Sequence, residues 1–395
     1  MSEPRERVIS KSEASRFLVS HVGLATLSPT EKARARDARV RRLLPSLRCI
    51  QLDPLDAIGQ NADLVVMARV RSAQRGTAFD ALFPGHAFEH FAKERCLLPA
   101  SAFAQYRDRA VETPWWRHSE RMKKLDAKVV SDVLAEVRDK GPLRARDLEH
   151  RGSVAPMDWA GWKGTSSAAK LALEVLWTRC EVVVSGRVGR DKVYDLPARA
   201  LPEHAHEKPK RDFESWALVE RAHAAGLLPR AAGPWWSMIS HVRTAPVVDD
   251  LIEAGEVEVV RVDGFPRTYL APRGLLDMPI ASADDELRIL GPLDPLLWSR
   301  NLVRDVFDFD YVWEVYKPAA ERRFGWYVCP LLHRGLLVGR IEATVEGTTL
   351  RVDKLWREEK GSVDEAALDA ALERHAAGCG CDRVKRMPGA RRSRA

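Results

Sequence analysis

Gln51 and Asp53 are the residues of this chain whose types and spacing most suggest chemistry, because an amide and a carboxylate flank one apolar residue, Leu52. Successive side chains of an extended backbone point to opposite faces, so Gln51 and Asp53 would share a face while Leu52 is buried on the other. A carboxylate placed in this way can take a proton from a water molecule that the amide orients. The pair therefore predicts a site that activates water.

The same residues also have a purely structural interpretation. Asp53 precedes Pro54, and an Asp N-cap followed by Pro at the first helical position is a common helix start. Under this interpretation a helix begins near Pro54, Asp53 only caps it, and Gln51 is a surface residue of a short strand. The local pattern does not decide between the two, so the decision depends on the rest of the chain.

Length and composition limit the class of protein. The chain has 395 residues, of which 45% are hydrophobic and 30% charged, with a net charge of +7, so we expect two to four compact units. It has no run of about 18 uncharged apolar residues and no apolar segment behind its charged N-terminus, which predicts neither a membrane span nor a secretory signal. The 6 scattered cysteines predict reduced thiols and therefore a cytosol-like compartment.

No metal or other cofactor is expected. His375, Cys379 and Cys381 lie close together in the sequence, but no second ligand pair follows them at zinc spacing.

The order of helical and strand patterns predicts an α+β fold. Helices followed by a hairpin recur along the chain, as in winged helix-turn-helix units, and a strand-rich segment follows them. We expect tandem winged helices and then a small antiparallel, β-barrel-like domain. The predicted segments are 1–125 (a winged helix with the Gln-x-Asp motif), 126–210 and 211–284 (two more winged helices), 285–380 (β-rich) and 381–395 (a basic, disordered tail).

Particular elements can be predicted more closely. Ser10 and Glu13 form a capping-box pattern for a helix beginning near residue 11, and Pro45 should end a helix over Glu31–Leu44. In the β-rich segment we expect a helix over Val363–Ala377 and strands over Tyr311–Tyr316, Phe324–Leu332, Leu336–Glu346 and Thr348–Trp356. The tryptophans there are interpreted as core residues rather than as a stacking platform for bases, since none alternates with a basic run; they are Trp298, Trp313, Trp326 and Trp356.

Two basic features point to nucleic acid. The predicted hairpin after residue 180 carries Arg187, Arg190 and Lys192 at its turn, where a wing usually meets the DNA backbone. The tail from Arg383 has several Lys and Arg residues and no acid, so it would either hold phosphates without sequence preference or merely improve solubility.

Together these features resemble the winged-helix DNA glycosylases of the YcaQ type, which excise bulky alkylated bases and unhook interstrand crosslinks. The resemblance covers roughly residues 8–360. Its most specific pieces are Ile50–Pro54 with the apolar run to Val70, Phe88–Pro99, Tyr194–Pro197 and Gly291–Arg300. The stretch before the motif, Leu47-Arg-Cys-Ile, departs from the Leu-Gly-x-(Ile/Leu) of typical members, which bears on the substrate more than on the chemistry.

The resemblance implies that Gln51 and Asp53 are catalytic and that the partner is double-stranded DNA carrying alkylated or crosslinked bases. With such a partner we expect a cytoplasmic, nucleoid-associated protein. It implies hydrolysis of the glycosidic bond of N7-alkylated purines, and the motif has no lysine that could cleave the strand through a Schiff base. A tandem array of this kind needs no partner subunit, so we expect a monomer. The competing class is a non-enzymatic winged-helix transcription regulator, and an inactive family member that binds damaged DNA is a third possibility.

Overall fold

The computed structural model describes residues 6–107, 109, 117–155, 166–359, 363–388 and 393–394. The chain divides into two compact units, of which one comprises 1–78 together with 214–395 and the other comprises 79–213. The first unit is therefore discontinuous and contains both the Gln-x-Asp motif and the β-rich C-terminal segment. This division into two units is coarser than the five consecutive segments expected from the sequence, which stay a prediction.

The elements up to residue 140 are mostly short. In chain order they are β1 (Arg7–Ile9), α1 (Lys11–His21), α2 (Ala33–Leu47), β2 (Ile50–Gln51), α3 (Asn61–Met67), α4 (Thr77–Leu82), β3 (Ala87–Phe91), β4 (Arg95–Pro99), α5 (Phe103–Tyr106), α6 (His118–Lys123) and α7 (Ala127–Lys140).

The elements from residue 143 to residue 272 include two hairpins. They are β5 (Leu143–Arg144), β6 (Ser153–Val154), β7 (Ser166–Ser167), α8 (Ala168–Thr178), β8 (Val183–Val188), β9 (Asp191–Asp195), α9 (Pro197–Ala200), α10 (Phe213–Ala225), β10 (Leu228–Pro229), α11 (Val247–Glu253), β11 (Val257–Val262) and β12 (Thr268–Pro272).

The remaining elements belong to the strand-rich segment. They are β13 (Arg288–Ile289), α12 (Arg300–Phe307), β14 (Val328–His333), β15 (Leu336–Glu346), β16 (Thr349–Arg357), α13 (Glu365–Gly378), β17 (Arg383–Arg386) and β18 (Ser393–Arg394).

Two sheets have the same connectivity. Within the unit 79–213 the strand order is β5-β9-β8, so the short strand β5 pairs with the second strand of the hairpin. Within the other unit the order is β1-β11-β12-β10, and the short strand β10 again pairs with the second hairpin strand. In each case one helix precedes the short strand and another precedes the hairpin. The N-terminal strand β1 joins the second of these sheets in parallel with β11.

The C-terminal segment is a sheet of six strands in the order β13-β14-β15-β16-β17, with β18 also pairing with β16. The strand order is open, with β13 and β17 at its ends. The described strands therefore form a half-barrel sheet and not a closed barrel. Apolar side chains of this sheet and of α13 form one core, and Leu55, Ala57 and Ile58 of the segment after Asp53 pack into it. The loop that follows the motif is thus part of the C-terminal core.

Several expectations from the sequence are confirmed. The capping box is present, since the Ser10 hydroxyl accepts from the Glu13 amide at 3.1 Å while the Glu13 carboxylate accepts from the Ser10 amide at 2.8 Å. The predicted strand Leu336–Glu346 has these bounds in the structure, and the helix over Val363–Ala377 is shifted by one or two residues.

Other expectations are wrong. Helix α2 continues two residues beyond Pro45, which lies inside its last turn. No strand forms over 311–316, which is an irregular loop. The predicted disordered tail is wrong for Arg383–Arg386, because these residues pair with β16, a partner that local composition does not reveal. Residues 389–392 and 395 of that tail lie outside the described residues.

Candidate active site

Asp53 does not cap a helix. Strand β2 ends at Gln51, and the next helix, α3, begins only at Asn61. Asp53 instead closes a local turn, in which its Oδ1 accepts a hydrogen bond of 2.9 Å from the Leu55 amide. The prediction of a helix from Pro54 is therefore wrong, and with it the interpretation of Asp53 as a cap.

The second carboxylate oxygen of Asp53 is available for chemistry. Among the described residues no donor contacts Oδ2, and the side chain is only half buried. Burial raises the pKa of Asp53, and the hydrogen bond from Leu55 opposes this effect only in part. A carboxylate with a raised pKa is a stronger base than an ordinary one, so Asp53 is suited to take a proton from water.

Gln51 lies directly before this turn, and its backbone is fixed by Asn61. The Asn61 side-chain amide donates a hydrogen bond of 2.8 Å to the Gln51 carbonyl, and both side chains are buried. Gly291 lies against Asn61 so closely that a Cβ at this position would stand 2.7 Å from the Asn61 Oδ1. Only glycine fits there, which explains why a glycine opens the Gly291–Arg300 motif.

The loop between Asp53 and α3 is attached to the C-terminal segment at two successive carbonyls. His375 donates from Nε2 to the Ile58 carbonyl at 2.8 Å, and Cys379 donates to the same oxygen at 3.1 Å. The Ala57 carbonyl accepts from the Val345 amide at 2.8 Å. Burial lowers the pKa of His375 to about 4, so the ring is neutral at neutral pH and acts as a plain donor. These contacts hold the loop, and with it Asp53, on the sheet.

A buried ion pair joins the motif's helix to the Gly291–Arg300 segment. Arg69, just beyond α3, forms a two-pronged contact with Asp294 at 2.8 and 3.0 Å, and both side chains are almost fully buried. Arg69 also donates to the Val22 and Val65 carbonyls. A buried charge must be paired in this way, and the pair fixes one mutual arrangement of these segments.

Sequence reasoning missed the residues that support the pair. His375 lies 317 residues from Ile58, and Asp294 lies 225 residues from Arg69, so no periodicity links either residue to its partner. Asn61 is closer, 10 residues from Gln51, but its partner is a backbone carbonyl. The only available signal was the polar character of Asn61 at the start of a mainly apolar run.

The three cations predicted to contact DNA differ in their surroundings. Arg187 and Lys192 both bind the fully buried Glu89, Lys192 at 2.7 Å. Burial alone would raise the pKa of Glu89, but Lys192 and Arg187 hold it below its usual value. Burial also lowers the pKa of Lys192 to about 8. Arg190, by contrast, is exposed at the hairpin turn and has no acidic partner among the described residues.

Neither a metal cluster nor a membrane-spanning helix occurs in the part of the chain that the structure describes. No group of three or more His, Cys, Asp or Glu side chains among these residues is arranged to hold a metal ion. None of the described helices has the length and apolar character needed to cross a bilayer.

Comparison with known proteins agrees with the resemblance seen in the sequence. The model of a family described as "DNA glycosylase AlkZ-like" matches residues 44–377. Among solved structures, the chain is similar to Streptomyces sahachiroi DNA glycosylase AlkZ, with a TM-score of 0.59 and 16% identity over 96% of this chain and 100% of that chain. At this identity the structural likeness speaks for the fold, whereas the family match spans most of the sequence. The chain therefore belongs to the AlkZ-like family of DNA glycosylases.

Proposed function

We propose that this glycosylase hydrolyses the N-glycosidic bond of N7-alkylated purines in double-stranded DNA, including those that form interstrand crosslinks, with Asp53 as the base and Gln51 as the residue that orients water. The observation that carries the proposal is the Asp53 carboxylate, which is half buried, has a raised pKa and keeps one oxygen without a donor among the described residues. It stands next to Gln51 on a loop that the C-terminal core holds in place.

The chemistry suits a single carboxylate. An N7-alkylated purine is a cation, so it leaves as a neutral base and needs no general acid. Water attacks C1′ as the C1′–N9 bond breaks, its proton passes to Asp53, and the bonding electrons leave with the purine. Before it takes the proton, the carboxylate stabilises the positive charge that develops on the sugar. The products are the free base and an intact strand with an abasic site.

The proposed enzyme is monofunctional. Strand cleavage by a glycosylase needs an amine that forms a Schiff base with the sugar. The stretch from Gln51 to Val70 contains no lysine, so the abasic strand should persist until alkali cleaves it.

DNA contacts are proposed for the two sheets with shared connectivity, β5-β9-β8 and β1-β11-β12-β10, which we interpret as winged helices. In the first of them we assign the phosphate contact at the wing to Arg190, since Glu89 engages the charges of Arg187 and Lys192. We further propose that the protein acts as a monomer.

The test is base release under single-turnover conditions from duplex DNA carrying N7-methylguanine and, in parallel, a nitrogen-mustard crosslink. Release of the alkylated base, with strand breakage only after alkali, is the expected result. Release from the monoadduct alone would restrict the proposal to monoadducts. No release from either substrate, together with tight binding to undamaged DNA, would contradict it and favour a family member that only binds.

A further inference from the structure

The loop between α12 and β14 exposes two large aromatic side chains. Tyr316 is 86% exposed and Trp326 is 38% exposed. The expectation that Trp326 belongs to the core is therefore wrong, whereas Trp298 and Trp356 are buried as expected. Exposure of large aromatic rings to water is unfavourable, so two of them on one loop indicate a binding surface.

The two exposed rings are the ends of a continuous aromatic row. Tyr316 packs edge-on against Trp313 with ring centroids 5.9 Å apart, Trp313 against Tyr327 at 6.2 Å, and Tyr327 against Trp326 at 6.0 Å. The Trp313 indole N–H is buried and has no acceptor among the described residues. The row thus has a hydrogen-bond donor without an acceptor among the described residues, and two accessible ring surfaces.

A buried carboxylate, that of Glu314, holds this loop through hydrogen bonds. Glu314 accepts hydrogen bonds from the Lys317 ammonium at 2.8 Å and from the amides of Arg323 and Phe324 at 3.1 and 2.8 Å. Burial would raise the pKa of Glu314, but Lys317 and these amides hold it at about 2, so the carboxylate stays ionised.

A second carboxylate fixes the position of Trp326. Glu342 accepts from the Trp326 amide at 2.7 Å, and any side chain at Gly325 would collide with it. A surface fixed before binding loses little conformational entropy when a ligand arrives.

The inner rings of this row share an apolar core with the loop that follows Asp53. Trp313 and Tyr327 belong to the same apolar cluster as Leu55 and Ala57, which closely follow Asp53. Burial raises the pKa of Tyr327 well above its usual value, and the nearby charge of Asp53 adds to this effect.

A cation lies on the same loop. Arg323 is exposed, places its guanidinium 4.7 Å from the centre of the Phe324 ring and has no acidic partner among the described residues. Its charge is therefore available to an anionic ligand.

We propose that Tyr316 and Trp326 form a stacking surface for an unpaired purine held beside Asp53, with Arg323 as the contact for its phosphate. Flat rings on a rigid loop suit a planar base, and the exposed guanidinium complements the strand that carries it. The inference rests on the proposed function, because a stacking surface beside Asp53 serves base release only if the purine leaves the duplex stack. It adds the residues that would hold the purine during base release.

The test measures equilibrium binding of the full chain, without turnover, to two labelled duplexes of one sequence. One duplex has a single unpaired purine and the other is fully paired. Wild type should prefer the first. Tyr316→Ala and Trp326→Ala should each weaken binding to the unpaired-purine duplex by about 5- to 100-fold and leave the paired duplex unchanged, since stacking of one base has about this effect.

Conservative and remote variants make the result specific. Tyr316→Phe and Trp326→Phe keep a ring and should retain the preference. Leu336→Ala removes an exposed apolar side chain, 52% accessible, from the hairpin of β15 and should change neither affinity. A thermal melt of each variant checks that it is folded.

The outcomes separate this inference from the proposed function. Selective loss of the preference supports stacking even if wild type releases no base. A wild type without any preference, or alanine variants that weaken both duplexes equally or neither, overturns the stacking proposal even if base release is confirmed.

Discussion

Asp53→Asn gives the sharpest test of the catalytic assignment. The Oδ1 atom of the introduced asparagine can still accept the Leu55 amide, so the turn should persist. What is lost is the negative charge and the free oxygen that takes the proton. A general base contributes about 10²–10⁴ in rate, so we expect single-turnover base release to fall by about 10³-fold, or about 4 kcal/mol of transition-state stabilisation.

The Asp53→Asn variant should lose activity without losing stability. Burial raises the pKa of Asp53 in the folded protein, so above the unfolded pKa the folded state is penalised for keeping this carboxylate ionised. The neutral amide of the Asp53→Asn variant carries no such charge. The variant should therefore unfold at the same temperature as wild type or a higher one at pH 7, in a thermal melt, while losing activity.

Asp56→Asn is the matched control. It makes the same chemical change three residues further on, where the carboxylate pairs with Arg75 at 2.7 Å on the surface. Such pairs contribute about 0–1 kcal/mol, and base release should be close to that of wild type. If Asp53→Asn kept its rate within about threefold of Asp56→Asn, with DNA affinity unchanged in both, Asp53 would not be the base.

Three further outcomes follow from the geometry. Base release should rise with pH through a pKa of Asp53 that is above the ordinary carboxyl value, because only the ionised form accepts a proton; a flat profile down to the ordinary value would contradict this. Asp294→Ala leaves the buried Arg69 charge without its partner, so the free energy of unfolding in urea titrations should fall by about 3–5 kcal/mol. A loss below about 1 kcal/mol would show that the pair contributes little to stability. Arg190→Ala should weaken DNA binding and lower the salt slope by about 1, whereas Arg187→Ala should lower unfolding stability by roughly 1–3 kcal/mol; the reverse pattern would reassign the wing contact.

The motif and many of the elements could be predicted from the sequence because their signals are local. The Ser10–Glu13 capping box acts within one helical turn, and the strand Leu336–Glu346 follows from its own apolar pattern and flanking glycines. The Gln-x-Asp spacing is likewise a property of three consecutive residues. Family membership followed from such motifs and agrees with the match over residues 44–377.

Local patterns failed where a distant partner decides the conformation. The Asp53-Pro54 pair favours a helix, but Ala57 and Ile58 are drawn into the C-terminal core, and the chain stays irregular until Asn61. The segment 311–316 has strand-like residues, yet Glu314 uses its carboxylate to bind later amides of the same loop. In both cases tertiary contacts override an intrinsic preference worth only a fraction of a kcal/mol to about 1 kcal/mol per residue.

The amino-acid sequence alone specifies which residues are available for chemistry, namely an amide and a carboxylate two positions apart in a glycosylase-like chain. The state of these residues depends on tertiary contacts. The fold leaves one oxygen of Asp53 without a donor among the described residues, raises its pKa by burial and fixes the Gln51 carbonyl through Asn61. It also exposes Trp326 next to Tyr327, a ring that shares a core with the segment after Asp53. Burial and long-range hydrogen bonds arise only when distant segments meet, so no window of sequence contains them.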